Sequence, residues 1–275
     1  MSIRLLNGDC LALMKDLSAN SVDLIICDLP YGCLSSQTYK GVTDKSGSDL
    51  GKTYGEKITW DIKIDLKAFW TEAKRILRNE HSPVIHFCTT KFGFELYNSN
   101  PDWFRYDLVW DKQRGVSFLQ ANKMPMRSHE MIYVFSAKGA FYNRVDEDAP
   151  GKKKRTDNIS KPHKANVYTT PNSKLTRSQG ADENKSCVKT VIQIQKIGTF
   201  KQGHPTEKPV ALYRWLIERY CPLDGTILDP TFGSCNSCFT AQAMGRHAIG
   251  MEKDKGFYDK AIAKIIPPTN EIISD

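Results

Sequence analysis

The sequence indicates an α/β fold, in which a mostly parallel twisted sheet is flanked by helices and carries one basic insertion. Apolar segments of strand length alternate with amphipathic segments of helix length at both ends of the chain, a pattern typical of parallel sheets covered by helices on both faces. The alternation fades at about residue 146 and returns at about residue 190, and basic residues accumulate in between. The 275 residues are enough for one large α/β domain with an insertion, or for two small domains.

The predicted elements follow the hydrophobic pattern in chain order. A helix is predicted at residues 66–77, because Leu66, Phe69, Trp70, Ala73 and Ile76 recur at helical spacing. The same reasoning predicts further helices at residues 10–17, 210–220, 235–244 and 257–266, and strands at residues 3–6, 22–27, 83–88, 106–110, 131–135, 191–194, 226–228 and 247–251. Residues 33–59 form a polar stretch with four glycines, and a loop of this length is usually functional or disordered.

Composition and charge narrow the class of protein. Lysine and arginine number 39 against 31 aspartates and glutamates, so the formal net charge is +8, which suits a polyanionic partner. No apolar run is long enough to span a bilayer, and no secretory signal is predicted at the N-terminus. The eight cysteines are scattered, which favours free thiols in a reducing cytoplasm. Cys235 and Cys238 form a lone C-x-x-C without a second pair, so no metal site is expected.

A candidate catalytic motif, Asp28-Leu29-Pro30-Tyr31, directly follows the apolar strand segment at residues 22–27. Open α/β sheets bind their ligands at the ends of such strands. The Asp28 carboxylate and the Leu29 carbonyl can accept hydrogen bonds from an amino group, and Pro30 restricts the residue before it. Tyr31, expected to be an exposed aromatic, can stack on a flat ring. The motif therefore predicts chemistry on the amino group of a nucleobase.

A second motif, near the C-terminus, predicts a binding site for a ribose-containing ligand. Residues 226–234 have the pattern of a strand that runs into a turn of small residues and then a helix, and Gly233 lets the backbone approach a ligand closely. The next predicted strand ends in Glu252, where a carboxylate can accept hydrogen bonds from ribose hydroxyls. An ordinary βαβ unit without a ligand has the same elements, so the motif alone leaves both interpretations open.

The insertion at residues 146–190 is strongly basic. Ten lysines and arginines stand against three acidic residues between residues 151 and 190. Such a run is either a solvated surface loop or a phosphate-binding surface, and the base-binding candidate on the same chain favours the second interpretation. The residues expected to contact nucleic acid are Lys152, Lys153, Lys154, Arg155, Lys161, Lys164, Lys174 and Arg177.

These motifs together resemble those of the β-class DNA amino-methyltransferases. Residues 28–32, Asp-Leu-Pro-Tyr-Gly, are similar to the catalytic D-P-P-Y motif, with leucine in place of the first proline. Residues 8–11 match the G-D-C-L element, and residues 204–209 resemble the H-P-T-Q-K-P element with glutamate in place of glutamine. Residues 229–236 are similar to D-P-F-x-G-S-G-T. Cys235 replaces the second glycine of that motif, so its backbone must avoid positive φ or accept strain.

The resemblance implies a Rossmann-like methyltransferase fold and transfer of a methyl group from S-adenosylmethionine to an exocyclic amino nitrogen of DNA, after the base is flipped out of the duplex. It implies that residues 1–145 form the catalytic half with the active-site loop 33–59, residues 146–190 a target-recognition insertion, and residues 191–275 the cofactor-binding half. Lys208 is expected to pair with the methionine carboxylate, and His204 is either a ligand-binding or a structural histidine. The implied cofactor-binding residues are Asp9, Cys10, His204, Lys208, Asp229, Phe232, Gly233, Ser234 and Glu252.

The substrate remains open at this point among several alternatives. Adenine N6 is expected because the motif begins with aspartate, whereas cytosine-N4 enzymes of the family more often begin with serine. An enzyme acting on RNA is a second alternative, and a non-catalytic nucleic-acid-binding protein that keeps the fold is a third. Intact Asp28, Tyr31, Gly233 and Glu252 argue against the third alternative. The partners expected are DNA and, by resemblance, a second copy of the chain in a homodimer.

Overall fold

The computed structural model describes residues 1–32, 62–116, 118–148, 185–197 and 207–265. The chain divides into two units, of which the first comprises Met1–Asn143 and Thr190–Asp275 and the second Arg144–Lys189. The strands are Ile3–Asn7 (β1), Leu24–Cys27 (β2), Val84–Cys88 (β3), Phe104–Val116 (β4), Arg127–Phe135 (β5), Glu147–Asp148 (β6), Lys185–Ser186 (β7), Val191–Gln193 (β8), Thr226–Asp229 (β9) and His247–Glu252 (β10). The α-helices are Cys10–Met14 (α1), Leu66–Ile76 (α2), Thr90–Ser99 (α3), Val210–Tyr220 (α4), Asn236–Ala243 (α5) and Lys255–Ile265 (α6).

The first unit contains an eight-stranded sheet in the order β1-β10-β9-β2-β3-β5-β4-β8. The pairings from β1 through to β3 are all parallel, whereas β5 runs antiparallel to both β3 and β4. β8 then pairs in parallel with β4. The predicted mostly parallel sheet flanked by helices is therefore confirmed. Because β5 is reversed, its first residues lie at the edge of the sheet where the neighbouring parallel strands end.

The chain reverses its direction of travel through the sheet between β2 and β9. From β2 it moves through α2 to β3 on one side, and from β9 it moves through α5 to β10 on the other side. The loops that follow β2 and β9 therefore diverge and leave a crevice, which is where open α/β sheets bind ligands. Thr231 Oγ1 donates a hydrogen bond to the Asp28 carbonyl at 3.2 Å and so joins the two loops.

Alternate residues of β2 contribute to two hydrophobic cores, one on each face of the sheet. Leu24 and Ile26 belong to the core that includes buried residues of α4, α5 and α6. Ile25 and Cys27 belong to the core that includes buried residues of α1, α2 and α3. All four residues are fully buried, since helices cover both faces, and this explains why the strand has a continuous apolar sequence instead of an alternating one.

Polar side chains cap the N-termini of α1, α2 and α3, the helices on one face of the sheet. Asp9 caps α1 by accepting a hydrogen bond from the Leu11 amide, and Thr89 caps α3 by accepting one from the Phe92 amide. Asp65 caps α2 and accepts hydrogen bonds from two amides of its first turn. Each cap provides a partner for an amide donor that has none within its own helix.

The predicted elements recur with changed ends, and one helix is new. β4 extends far beyond the predicted residues 106–110, because it pairs with β5 over most of its length. The pattern did not predict α3, whose buried residues Phe92, Gly93 and Leu96 form only a narrow apolar stripe. α5 begins at Asn236 instead of residue 235, and Cys235 precedes it with a φ of 64°. The cysteine thus accepts the left-handed conformation that glycine adopts without strain.

The second unit is described only near its two ends. Glu147–Asp148 and Lys185–Ser186 form an antiparallel pair, which brings the two ends of this unit together. The basic side chains expected to contact DNA lie outside the described residues: Lys152, Lys153, Lys154, Arg155, Lys161, Lys164, Lys174 and Arg177. The predicted loop at residues 33–59 and His204 also lie outside the described residues. No helix in the described part of the chain has the length and apolar character to cross a membrane.

Candidate active site

A pocket of about 550 Å³ lies at the crevice between the ends of β2 and β9. Its volume is in the range of small-molecule sites. Its walls come from the segments that follow β1, β2, β9 and β10, whose carboxyl ends meet at one edge of the sheet because the strands are parallel. The pocket brings together most of the residues that the sequence singled out: Asp9, Cys10, Asp28, Leu29, Pro30, Tyr31, Lys208, Phe232, Gly233, Ser234 and Glu252.

Asp28 accepts hydrogen bonds on both carboxylate oxygens. Its Oδ1 accepts one from Tyr31 Oη at 2.7 Å, and its Oδ2 accepts one from Lys208 Nζ at 2.6 Å. Tyr31 Oη also lies 3.0 Å from Glu130 Oε1, so the hydroxyl is held between two carboxylates. The Tyr31 ring packs on Phe92 with centroids 5.1 Å apart. The aromatic side chain that was expected to be exposed is therefore half-buried, because its hydroxyl and one ring contact hold it in the pocket wall.

Lys208 lies just before α4, and its backbone is hydrogen-bonded to Asn236, the first residue of α5. The Asn236 side-chain amide donates hydrogen bonds to Glu207 Oε1 at 2.7 Å and to the Lys208 carbonyl at 3.1 Å. The Lys208 side chain is 5% exposed, and its ammonium lies 5.1 Å from the centre of the Phe87 ring. The structure thus places this lysine against the Asp28 carboxylate.

Glu130 is an acidic residue of the pocket that the sequence did not single out, and it lies beside Asp28 and Lys208. It stands opposite Trp110 in the β4–β5 pair, at the edge where β5 enters the sheet. Its Oε1 lies 3.6 Å from Lys208 Nζ, and its Oε2 lies 3.0 Å from Lys112 Nζ on β4. Asp28, Glu130, Lys112 and Lys208 therefore form one charge cluster. A signal existed in the sequence, since Glu130 directly precedes the apolar run 131–135, but the predicted strand began one residue too late to include it.

Lys208 and Glu130 in this cluster support each other's ionised states. Burial acts to lower the pKa of Lys208, but the neighbouring Asp28 and Glu130 carboxylates outweigh it and raise that pKa above its ordinary value. Burial acts to raise the pKa of Glu130, yet Lys208 and Lys112 hold it below its ordinary value. Burial, together with Asp28 and Glu130, raises the pKa of Tyr31, so its hydroxyl stays protonated and donates.

The other end of the pocket is formed by the turn at Gly233 and by Glu252. Glu252 Oε2 accepts a hydrogen bond from the Gly233 amide at 3.0 Å, and Oε1 accepts one from the Asp254 amide at 2.8 Å. Gly233 has a φ of 51°, a conformation that brings the turn close to the end of β10. Burial raises the pKa of Glu252 above its ordinary value. Each carboxylate oxygen has two lone pairs, so this side chain can still accept hydrogen bonds from a ligand.

Asp9, Cys10 and Asp229 support this end of the pocket. Asp9 caps α1, and Asp9 Oδ2 lies 3.4 Å from Lys253 Nζ. Burial raises the pKa of Cys10 to about 12, so the residue lines the pocket as a neutral thiol. Asp229 is buried behind the turn, where it accepts hydrogen bonds from the Ser237 hydroxyl and, at 3.0 Å, from the Thr231 amide. No cluster of metal-ligating side chains occurs among the residues whose structure is described.

The fold and the pocket define an α/β protein that binds its ligands at a switch point, beside the ends of parallel strands. The DNA methylase family of N6 and N4 methyltransferases matches residues 22–264. The chain belongs to this family. The family uses S-adenosylmethionine as its methyl donor.

Curated relatives support the assignment over nearly the whole chain. The type II methyltransferase M.HinfI of Haemophilus influenzae is 25% identical over 98% of this chain and 70% of its own length. The type II methyltransferase M.HindIII of Haemophilus influenzae strain Rd is 26% identical over 94% of each chain. M.HpaI of Haemophilus parainfluenzae is 24% identical over 95% of this chain and 73% of its own.

Solved structures show the same fold. The M1.HpyAVI–SAM complex aligns over 96% of this chain and all of that chain, with 18% identity and a TM-score of 0.56. The PvuII DNA methyltransferase, named as cytosine-N4-specific, aligns over 98% of this chain and 88% of its own, with 13% identity and a TM-score of 0.62.

The pocket has the features that S-adenosylmethionine requires. One end offers a carboxylate and a glycine turn, which suit ribose hydroxyls and the close approach of a ligand to the backbone. Asp28 lines the same cavity. The residues present therefore fit the cofactor that the family uses.

Proposed function

We propose that this protein is a site-specific DNA methyltransferase that transfers a methyl group from S-adenosylmethionine to the N6 amino group of adenine in duplex DNA. The observation that carries the proposal is the shared pocket, which Asp28 lines together with Gly233 and Glu252. An amine at one end and a methyl donor at the other are then neighbours in a single cavity. When bound, the cofactor supplies an electrophilic methyl group on a sulfonium sulfur.

The cofactor-binding roles that we propose rest on the resemblance, and the position of these side chains in the pocket supports them. Glu252 accepts hydrogen bonds from the ribose hydroxyls, and Asp9 and Cys10 line the part of the pocket near the adenine ring. Gly233 and Ser234 approach the methionine part through their backbone. Phe232, a buried residue of the turn, and Asp229, buried behind it, hold the turn in place. His204 belongs to this set by resemblance alone.

Lys208 takes a different role from the one that the resemblance implied. Its ammonium lies 2.6 Å from Asp28 Oδ2, so we assign it to the amine-binding end of the pocket instead of the methionine carboxylate. There it orients the Asp28 carboxylate before the substrate arrives. An ion pair this deeply buried costs desolvation energy, which favours a functional reason for its presence.

The amine-binding end activates the nitrogen by hydrogen bonding. Asp28 and the Leu29 carbonyl accept hydrogen bonds from the two amino hydrogens, which draws the nitrogen lone pair out of conjugation with the ring. Tyr31 stacks on the base, and Phe92 supports the Tyr31 ring from behind. The Asp28 carboxylate stabilises the positive charge that the nitrogen gains and accepts the proton that it then loses. Holding the reacting atoms in line supplies much of the rate.

DNA binding is assigned to the basic insertion. The eight residues from Lys152 to Arg177 that were singled out above contact phosphates, and residues 146–190 act as the target-recognition region. The target base leaves the duplex and enters the pocket at a cost of roughly a few kcal/mol, which the pocket contacts offset. The protein acts in the cytoplasm, where its DNA and cofactor are present.

The experiment uses DNA from a host that lacks DNA methylation. We expect the wild-type protein and S-adenosylmethionine to produce N6-methyladenine, detected by mass spectrometry of nucleosides after digestion. Asp28→Ala should lower the transfer rate by about 10³-fold or more, because it removes the carboxylate that binds the amine. Its dissociation constant for S-adenosylmethionine, measured by calorimetry, should stay within about threefold of wild type, since Asp28 lies at the far end of the pocket.

The outcomes separate the alternatives. If the product is N4-methylcytosine, the substrate base is cytosine and not adenine. If only RNA is methylated, the substrate is RNA and not DNA. Near-wild-type transfer by Asp28→Ala would refute the catalytic role of that residue. Glu80→Gln is the control, because it changes a carboxylate on the protein surface, and this variant should retain full activity.

A further inference from the structure

We propose that Glu130 is a positioning residue of the transfer step: it takes over the Lys208 ammonium when the target base arrives, so that Asp28 becomes a stronger hydrogen-bond acceptor for the amino group. This inference rests on the proposed role of Asp28. It concerns a strand residue outside the D-P-P-Y-like motif, the glycine turn and the basic insertion.

Before the substrate binds, Asp28 is already hydrogen-bonded to two side chains. Both of its oxygens are engaged, one by Tyr31 Oη at 2.7 Å and the other by Lys208 Nζ at 2.6 Å. A carboxylate paired with an ammonium is a weaker acceptor and offers less stabilisation to a nitrogen that becomes positively charged. For efficient transfer, the ammonium must therefore move away from Asp28 without leaving a buried cation unpaired.

Glu130 is placed to receive that ammonium. Its Oε1 lies 3.6 Å from Lys208 Nζ and 3.0 Å from Tyr31 Oη, so the two donors that engage Asp28 also face Glu130. A shift of roughly 1 Å brings Lys208 Nζ within hydrogen-bond distance of Glu130. The flexible four-carbon side chain of lysine allows a shift of this size without backbone movement.

Glu130 itself is held in place during such a shift. Its Oε2 pairs with Lys112 Nζ at 3.0 Å, and Lys112 Nζ lies 5.1 Å from the centre of the Trp110 ring. Trp110 and Glu130 are direct partners in the β4–β5 ladder, which fixes the carboxylate at the strand edge. The Glu130 carboxylate is thus held by paired strands, and the flexible side chain of Lys208 is the part that moves.

The test compares Glu130→Gln, which removes the charge at constant size, with Glu130→Asp, which retains it. Single-turnover transfer and the dissociation constant for S-adenosylmethionine are measured for both, with Glu80→Gln as the control. We expect Glu130→Gln to lower kcat by about 10- to 100-fold, because Lys208 stays on Asp28. The KM for DNA and the cofactor dissociation constant should change by less than about twofold, and Glu130→Asp should recover part of the lost rate.

A double-substitution cycle shows whether Glu130 acts through Lys208. In a Lys208→Met background there is no ammonium to transfer, so adding Glu130→Gln should change kcat by less than about twofold. Unchanged kcat in Glu130→Gln, a defect confined to KM or cofactor binding, or the same rate reduction in both backgrounds would each overturn the inference. If Lys208→Met is too slow to measure, the kcat-against-KM split and the Glu130→Asp rate decide.

Results that contradict the proposed function can be distinguished from results that contradict the role of Glu130. A wild-type protein that methylates cytosine N4 would correct the substrate, yet the Glu130 comparison would still apply, since that nitrogen is also an exocyclic amine. A wild-type protein that methylates adenine at the same rate as Glu130→Gln would overturn this inference alone.

Discussion

The charge cluster of Asp28, Glu130, Lys112 and Lys208 contains two carboxylates and two ammonium groups, so its formal charges cancel. Balanced charges tolerate burial, whereas removal of one partner leaves an uncompensated charge and typically costs about 3–5 kcal/mol. In the proposed reaction the amine gains positive charge beside Asp28, and a shift of Lys208 towards Glu130 would lower the positive charge that already lies there. This is a reason to keep a second acid beside the first.

Asp229 predicts a pH dependence of stability. Burial raises its pKa to about 7, against hydrogen bonds from Ser237 and the Thr231 amide that lower it. In the unfolded chain an aspartate titrates near pH 4, so between about pH 4 and pH 7 the folded state binds one more proton than the unfolded state. The free energy of unfolding therefore falls as the pH rises through this window, by an amount on the order of 4 kcal/mol.

Urea denaturation of the cofactor-free protein at a series of pH values measures this effect. Asp229→Asn keeps an acceptor for the Thr231 amide and a donor for Ser237 but cannot titrate. We expect the stability advantage of wild type over the variant to shrink steadily from pH 4.5 to pH 7.5. Parallel stability curves for the two proteins would show that Asp229 keeps an ordinary pKa.

Which site residues could be predicted from sequence depended on whether their neighbours in space were also neighbours in the chain. Asp28 follows β2, Gly233 lies in the turn after β9, and Glu252 ends β10. Each belongs to a recognisable motif, so its position at the sheet edge followed from the strand before it. Glu130 and Lys112 come from β5 and β4, whose pairing brings them to the same edge. That pairing is non-local, and no local pattern records that β5 is antiparallel.

Strands and helices were predicted well where burial was one-sided or complete. β2 is fully buried and gave a continuous apolar run of strand length, whereas α2 buries a broad stripe and gave clear helical periodicity. α3 buries few residues, and its sequence has neither the acidic first turn nor the basic last turn that would help to predict a helix. The order of strands in the sheet could not be read from periodicity at all, since it depends on which strand ends meet after long connections.

Packing between β10 and α5 predicts the effect of a small substitution. A Cβ added to Gly250 would lie 2.8 Å from Cys238 Sγ and 2.8 Å from Phe232 Cδ1, too close for ordinary contact. Gly250→Ala should therefore cost about 1–3 kcal/mol of unfolding free energy, because β10 and α5 must move apart. It should also weaken binding of S-adenosylmethionine, since Phe232 lies within the turn that lines the pocket.

Gly139→Ala is the matched control. Nothing lies within 4 Å of the added Cβ, and we expect its unfolding free energy to stay within about 0.5 kcal/mol of wild type. Chemical denaturation measures both variants, and calorimetry measures their affinity for S-adenosylmethionine. Equal stability of the two variants would mean that β10 and α5 can separate without cost at Gly250.

Under the proposed function, chemistry and DNA contact belong to different units of the chain. The first unit contains the sheet and every residue that lines the pocket, whereas the basic insertion begins and ends with the strands β6 and β7 of the second unit. The two ends of the insertion pair with each other, so we expect that changes of sequence within it leave the sheet intact. This would suit the target-recognition role that we propose for it.

This separation predicts a specific salt dependence. Replacing Lys152, Lys153 and Lys154 together by alanine should weaken binding to duplex DNA and reduce the slope of log affinity against log salt concentration by about 0.9 for each phosphate that is no longer neutralised. The dissociation constant for S-adenosylmethionine should be unchanged, because the pocket lies in the first unit. Replacing Lys255, Lys260 and Lys264 of α6 removes the same net charge from the first unit and serves as the control. If weaker long-range attraction explained the effect, both triple variants would bind DNA equally weakly, whereas direct phosphate binding lowers the slope only for the insertion variant.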